Sequence, residues 1–148
     1  AFDMAAHKLG IKSPTVGVWD RGGMGMGHIL RKVWEGFVVI QGLEFRRRLT
    51  DEVDLWRHEW SPSHRATGHG AEKPVPLMRR AIRLVSDVGD VIVDPFAGSG
   101  TTGEAAIAEG RRAILIERDP DFAAIAIARC SALESRIDWR QPEQRMLF

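Results

Sequence analysis

The stretch VIVDPFAGSGTTG, from Val91 to Gly103, constrains this chain more than any other. An apolar run ends in Asp-Pro, glycines follow at positions 98, 100 and 103, and an alanine-rich segment begins. The order reads as strand, glycine turn and helix, a turn whose backbone can approach a ligand closely. The flanks extend the unit. PVPLMRRAIRLVS places Leu77, Met78, Ala81, Ile82 and Val85 on one helical face, with Arg79, Arg80 and Arg83 opposite. A helix is expected from Gly100 to Glu109, closed by Gly110, and AILIER (Ala113 to Arg118) forms a second strand. Both strands read as buried, and the first as parallel. Asp119 and Pro120 cap and open a last helix, DFAAIAIARCSALESR. Strands alternating with helices predict a doubly wound α/β, Rossmann-like fold.

The N-terminal half is less regular. AFDMAAHKLG has a helical pattern stopped by Gly10, and TVGVWD (Thr15 to Asp20) is a strand. The glycine-rich RGGMGMG and the basic HILRKVWEG lead to a second strand, FVVIQG (Phe37 to Gly42), giving an irregular hairpin. Residues Leu43 to Gly68 are polar and arginine-rich without a clean period, and read as a connector with little structure of its own. The expected organisation is one domain: helix and hairpin over 1–42, connector over 43–68 and a ligand-binding part over 69–148.

Composition narrows the classes of function. Net charge is +1, so the whole chain is not a basic nucleic-acid-binding arm, although 17 of its 21 basic residues are arginine. Solvated helix faces account for many of these. A single cysteine, Cys130, excludes a disulfide framework and a thiolate metal cluster, and no metal site is expected. Neither a signal peptide nor an apolar run long enough to span a membrane is present, so the expected location is the cytoplasm.

The glycine pattern alone fits a nicotinamide dinucleotide or S-adenosylmethionine. Glu117, at the end of the second strand, is placed to accept hydrogen bonds from ribose hydroxyls, which both cofactors carry. Asp94 discriminates between them. A carboxylate at the first strand tip would repel a pyrophosphate, whereas the ammonium and sulfonium of S-adenosylmethionine are cationic. The ring of Phe96 can lie against the methionine portion. A simple turn-capping role for Asp94 is the plainer alternative. The loop therefore points to S-adenosylmethionine.

Extended to GHGAEKPVPLMRRAIRLVSDVGDVIVDPFAGSGTTGEAAIAEGRRAILIERDPDF, the sequence resembles amino-methylating DNA methyltransferases, which modify the exocyclic amine of adenine or cytosine. The resemblance is to the permuted class, whose cofactor motif lies near the C-terminus. His69, Lys73 and Pro74 match its H-P-T-x-K-P element, while Gly70 and Ala71 depart from it. It implies a cofactor site made of His69, Lys73, Asp94, Phe96, Gly98, Ser99, Gly100, Thr101 and Glu117, with Lys73 pairing with the methionine carboxylate. WDRGGMGMGHILRKVWEGFVVIQG is similar to the late hairpin of the same family, with Trp34-Glu35 where histidine-glutamate is common.

The family's catalytic D/N/S-P-P-Y/F/W segment does not occur, so no catalytic residue is assigned in this chain. Asp119-Pro120-Asp121-Phe122 imitates it but reads as a helix start. The resemblance thus implies the C-terminal part of a methyltransferase, completed by an N-terminal segment in cis or a partner chain in trans. Duplex DNA is the implied substrate, with Arg21, Arg31 and Lys32 in the hairpin and Arg46, Arg47, Arg48, Arg57 and Arg65 in the connector as candidate contacts. Trp56 and Trp60 can stack on bases or pack against the domain. The rival reading is a non-catalytic remnant or split-enzyme half; a methyltransferase of RNA or protein and an oxidoreductase come after it.

Overall fold

The computed structural model describes residues 14–23, 25, 28–42, 45–46, 48–49, 51–59 and 72–135. The chain divides into two compact units, residues 1–62 and 63–148. The expected helix over residues 1–10, and Trp60, lie outside the described residues.

The first unit is a three-stranded sheet of order β2-β1-β3, with β1 spanning Thr15–Asp20, β2 Trp34–Val39 and β3 Leu55–Arg57. β1 pairs with β2 antiparallel, from Thr15 opposite Val39 to Asp20 opposite Trp34. The hairpin stands, but its second strand begins at Trp34 instead of Phe37. The apolar run marks only the later part of β2; pairing with β1 continues through Trp34, Glu35 and Gly36. The connector also needs correction, because β3 lies within it and runs parallel to β1, with Trp19 opposite Trp56. Three residues are too few for an alternating pattern to show, and the strand is held by this non-local pairing.

On one face of this sheet the ring of Phe37 lies across Gly17, where a Cβ would come within 2.2 Å of it. Phe37 also meets the buried Trp56, with ring centroids 4.3 Å apart. Trp19 is buried and its indole donates to the His58 carbonyl at 2.9 Å, and the Trp56 indole donates to Val53 at 2.9 Å. Trp56 is therefore a packing residue. On the opposite face Val16, Trp34, Val38 and Leu55 are exposed.

The second unit has the expected order of elements, although its second strand spans Arg112–Leu115 and stops short of the expected Arg118. Its elements are α1 (Val75–Val85), β4 (Val91–Asp94), α2 (Thr101–Ala108), β5 (Arg112–Leu115) and α3 (Pro120–Glu134). The Asp119 side chain accepts from the backbone N–H groups of Asp121 and Phe122, confirming Asp119-Pro120 as a helix start. β4 and β5 are parallel, with Val93 opposite Ile114. Buried Ile82 of α1 and Ala105 and Ala106 of α2 form the core, with Val75, Met78, Ile92 and Ala113 packed around them. Val85, expected on the apolar face of α1, is exposed.

Arg111 locks this packing. Its buried guanidinium donates to the Ser86 carbonyl at 2.7 Å, the Ser86 hydroxyl at 3.1 Å and the Glu109 carbonyl. These carbonyls lie at the C-terminal ends of α1 and α2, where a cation is favoured.

The strands are not buried on both faces as expected. Ile92, Ala113 and Leu115 are partly covered, whereas Val91, Val93, Ile114 and Ile116 are between 41% and 58% exposed. An apolar run identifies a strand, but it cannot tell which layers cover the strand's two faces.

Candidate cofactor site and nucleic-acid contacts

The expected carboxylates lie at the end of β4 and just past the end of β5. Asp94 and Leu115 are paired residues, so Glu117 lies two positions beyond the tip of the neighbouring strand. Asp94 Oδ1 accepts the Phe96 N–H at 2.9 Å, so this carboxylate does cap the turn. Its second oxygen takes no hydrogen bond among the described residues. Phe96 projects from the turn with 88% of its surface exposed.

Glu117 is more committed than the sequence suggests. One oxygen accepts the Gly98 N–H at 2.7 Å and the other the Asp119 N–H at 2.9 Å. It thereby clasps the glycine turn to the start of α3.

The glycines divide the labour of the turn. Gly98 has φ +53°, in the left-handed region. Gly100, at φ +80°, is the N-cap of α2, and a Cβ there would stand 2.7 Å from the Ala126 Cα. Its role is close approach of the turn to α3. Gly103 serves packing too, since a Cβ would come within 2.6 Å of Leu115 Cδ1 and 2.7 Å of Cys130 Sγ.

Ser99 and Thr101 are buried, and their hydroxyls face inward. Arg129 of α3 donates to Thr101 Oγ1 at 2.8 Å and to Ser99 Oγ at 3.4 Å. The same guanidinium pairs with Glu72 at 2.5 Å and Glu104 at 3.1 Å. Sequence reasoning passed over this network. Its one legible signal is a lone arginine among the small apolar residues of α3, where a buried charge needs partners. Lys73 follows Glu72 directly and is half-buried, whereas His69 lies outside the described residues.

A cavity of about 360 Å³ lies under α3, lined by Ala97, Leu115, Glu117, Ala126 and Cys130 among others. Burial pushes the Cys130 thiol above its ordinary pKa, and the Glu134 and Glu104 charges add to the shift, against an opposing contribution from Arg129.

The candidate DNA contacts separate into two groups. Arg31, Lys32 and Arg46 are exposed, and the Arg57 side chain is 81% exposed with only a long 3.9 Å approach to Asp20. Arg21 is instead committed to Glu35 at 3.2 Å and stacks over Trp19. Arg48 lies over Phe45 and donates to the Arg46 carbonyl at 2.8 Å. Arg47 and Arg65 lie outside the described residues.

A parallel β–α–β unit with a glycine turn and a carboxylate at each strand tip defines a Rossmann-like methyltransferase fold. The Thermus thermophilus protein TTHA0409, solved with S-adenosyl-L-methionine, superposes with a TM-score of 0.64 at 27% identity over 88% of this chain and 58% of its own. The M1.HpyAVI–SAM complex gives a TM-score of 0.71 at 23% identity, over 86% and 66%. Residues 23–128 match the model of the N6 and N4 methyltransferase family described as DNA methylase. The chain belongs to this amino-methylating DNA methyltransferase family. DNA adenine methyltransferase YhdJ of Escherichia coli K12 is 44% identical over 61 residues, 41% of this chain and 21% of that protein. Type II methyltransferase M2.DpnII of Streptococcus pneumoniae is 35% identical over 106 residues, 72% of this chain and 32% of its own length. The chain thus spans less than a third of either relative.

Proposed function

We propose that this chain supplies the S-adenosylmethionine-binding part of an enzyme that methylates the exocyclic amine of adenine or cytosine in duplex DNA. The observation that carries this reading is the pair of strand-tip carboxylates around a glycine turn. Asp94 directs an oxygen without a partner among the described residues to a turn where a dinucleotide would bring a pyrophosphate. The residues fit S-adenosylmethionine: Gly98 removes a side chain from the turn, Phe96 offers an uncovered ring, and Glu117 holds a carboxylate against the turn.

When bound, the cofactor supplies an electrophilic methyl group on a sulfonium. Asp94 binds its ammonium, Phe96 lies along the methionine portion, and Glu117 takes the ribose hydroxyls. Lys73 pairs with the carboxylate, and His69 belongs to the same proposed cofactor-binding set. Ser99, Gly100 and Thr101 contribute through the backbone, since the two hydroxyls are engaged by Arg129. Exposed Arg31, Lys32, Arg46 and Arg57 contact phosphates. Arg21 and Arg48 act by shaping their surroundings.

The remaining sheet layers come from further polypeptide of the same enzyme, in cis or as a partner chain. The bare Val91, Val93, Ile114 and Ile116 face supports this, because apolar residues at that spacing are ordinarily covered. No described helix is long and apolar enough to cross a membrane, and we place the protein with its DNA in the cytoplasm. A role in restriction and modification is the setting suggested by the name of the Streptococcus relative.

The test is calorimetric titration of the full chain with S-adenosylmethionine and, separately, with NAD. Binding of the first alone is expected, weakened about tenfold or more in Asp94→Asn. Binding of NAD, or an Asp94→Asn variant that binds S-adenosylmethionine like the parent, overturns the reading.

A further inference from the structure

Among the described residues of the first unit, the two most exposed large apolar side chains are neighbours in one loop. In the loop between β1 and β2, Ile29 is 89% exposed and Leu30 83%. His28 on one side and Arg31 and Lys32 on the other are exposed as well. Between Arg21 and Trp34 the sequence contains no aspartate or glutamate. The loop is held from below: the Arg21 N–H donates to Val33 at 2.9 Å, the Gly25 N–H to Lys32 at 2.7 Å, and Arg21 pairs with Glu35. At the same end of the sheet Asp20 stands opposite both Trp34 and Arg57, and the Arg57 side chain projects into solvent.

We propose that this loop is a DNA wedge: Ile29 and Leu30 enter between base pairs while Arg31, Lys32 and Arg57 hold the flanking phosphates. The inference rests on the DNA part of the function proposed above and adds how the duplex is held. Its argument is charge complementarity around an apolar point. A protein partner's hydrophobic pocket requires no cationic collar, and a phosphate backbone does. Apolar wedges kink the duplex by partly unstacking a step, and the unstacking is offset by the contacts the bend permits. The two side chains need no burial within the protein, so their exposure is compatible with a folded loop.

Two variants of the full chain separate the contributions. Ile29→Ser/Leu30→Ser removes the wedge, and Arg31→Ala/Lys32→Ala removes two cations. Affinity for a short duplex is read by fluorescence anisotropy across a salt series, and bending by energy transfer between end labels. The serine variant is expected to bind about tenfold more weakly with an unchanged salt slope, and to lose the bend. The alanine variant is expected to lower that slope by about 1.8, the value for two phosphates. Unchanged melting of the serine variant shows that the effect is not one of folding.

A serine variant that binds and bends like the parent overturns the wedge while leaving the DNA reading intact. So does parent binding to anionic phosphatidylserine vesicles that the serine variant loses while its DNA binding is unaffected. A parent chain that binds no duplex at low salt overturns the wedge and the DNA reading together, and the cofactor titration then decides the remaining half on its own.

Discussion

Replacing Arg129 with methionine tests the account of the glycine turn most directly. Methionine keeps much of the aliphatic stem and removes the guanidinium from four partners: Glu72, Glu104, Thr101 and Ser99. The losses differ. Glu104 retains 31% side-chain exposure and regains water cheaply, whereas Glu72 is 6% exposed and loses a charged donor at 2.5 Å inside the protein. Breaking a buried pair from one side costs about 3–5 kcal/mol. In a unit of this size each kcal/mol lowers the melting midpoint by about 4–8 °C, so Arg129→Met should melt more than about 10 °C below the parent. The assay is thermal unfolding followed by circular dichroism, with Glu72→Gln and the double variant completing the cycle. Removing both charges relieves the mismatch between the two positions, so the double variant should recover part of the loss, with a coupling of about 1–3 kcal/mol. An Arg129→Met variant melting within about 2 °C of the parent refutes the reasoning, as does a cycle without coupling.

Three further outcomes follow from the same geometry. Gly100→Ala meets the Ala126 backbone at 2.7 Å in a left-handed conformation, and should lose about 2 kcal/mol or more in chemical denaturation. Glu117→Gln exchanges an acceptor oxygen for an amide that cannot accept from both Gly98 and Asp119; S-adenosylmethionine affinity should drop about tenfold in calorimetry, with a melting loss of a few degrees. The Cys130 thiol, raised by burial first and by Glu134 and Glu104 next, should be alkylated more slowly than free cysteine near neutral pH. Because its folded pKa lies above the unfolded one, its contribution to stability is present at low pH and is lost as pH rises through the thiol range, which urea midpoints across that range will show.

Legibility in the sequence followed how local the determining physics is. β1, α1, α2 and α3 were readable from period, from Gly110 as a stop and from Asp119-Pro120 as a start, all short-range effects. β3 was not, because Leu55-Trp56-Arg57 becomes a strand only through its partner β1. The start of β2 was misplaced for the same reason, since Trp34 to Gly36 are strand by register with β1. At the site, Asp94, Gly98 and Glu117 were legible as a motif. The inward turn of the Ser99 and Thr101 hydroxyls was not, because it depends on Arg129 arriving from a helix some 30 positions away.

The Glu72–Arg129 pair joins residues 57 positions apart. During synthesis Glu72 emerges well before Arg129, so until α3 is made this carboxylate lacks the guanidinium that it meets in the folded unit. Closing so long a loop carries its entropic cost before any reward arrives. The turn at Ser99 and Thr101 is therefore completed by α3, and a chain ending before Arg129 should populate a loosened state rather than a smaller native one. In this unit the glycine turn is among the final parts to acquire its shape, although its motif is the first thing the sequence reveals.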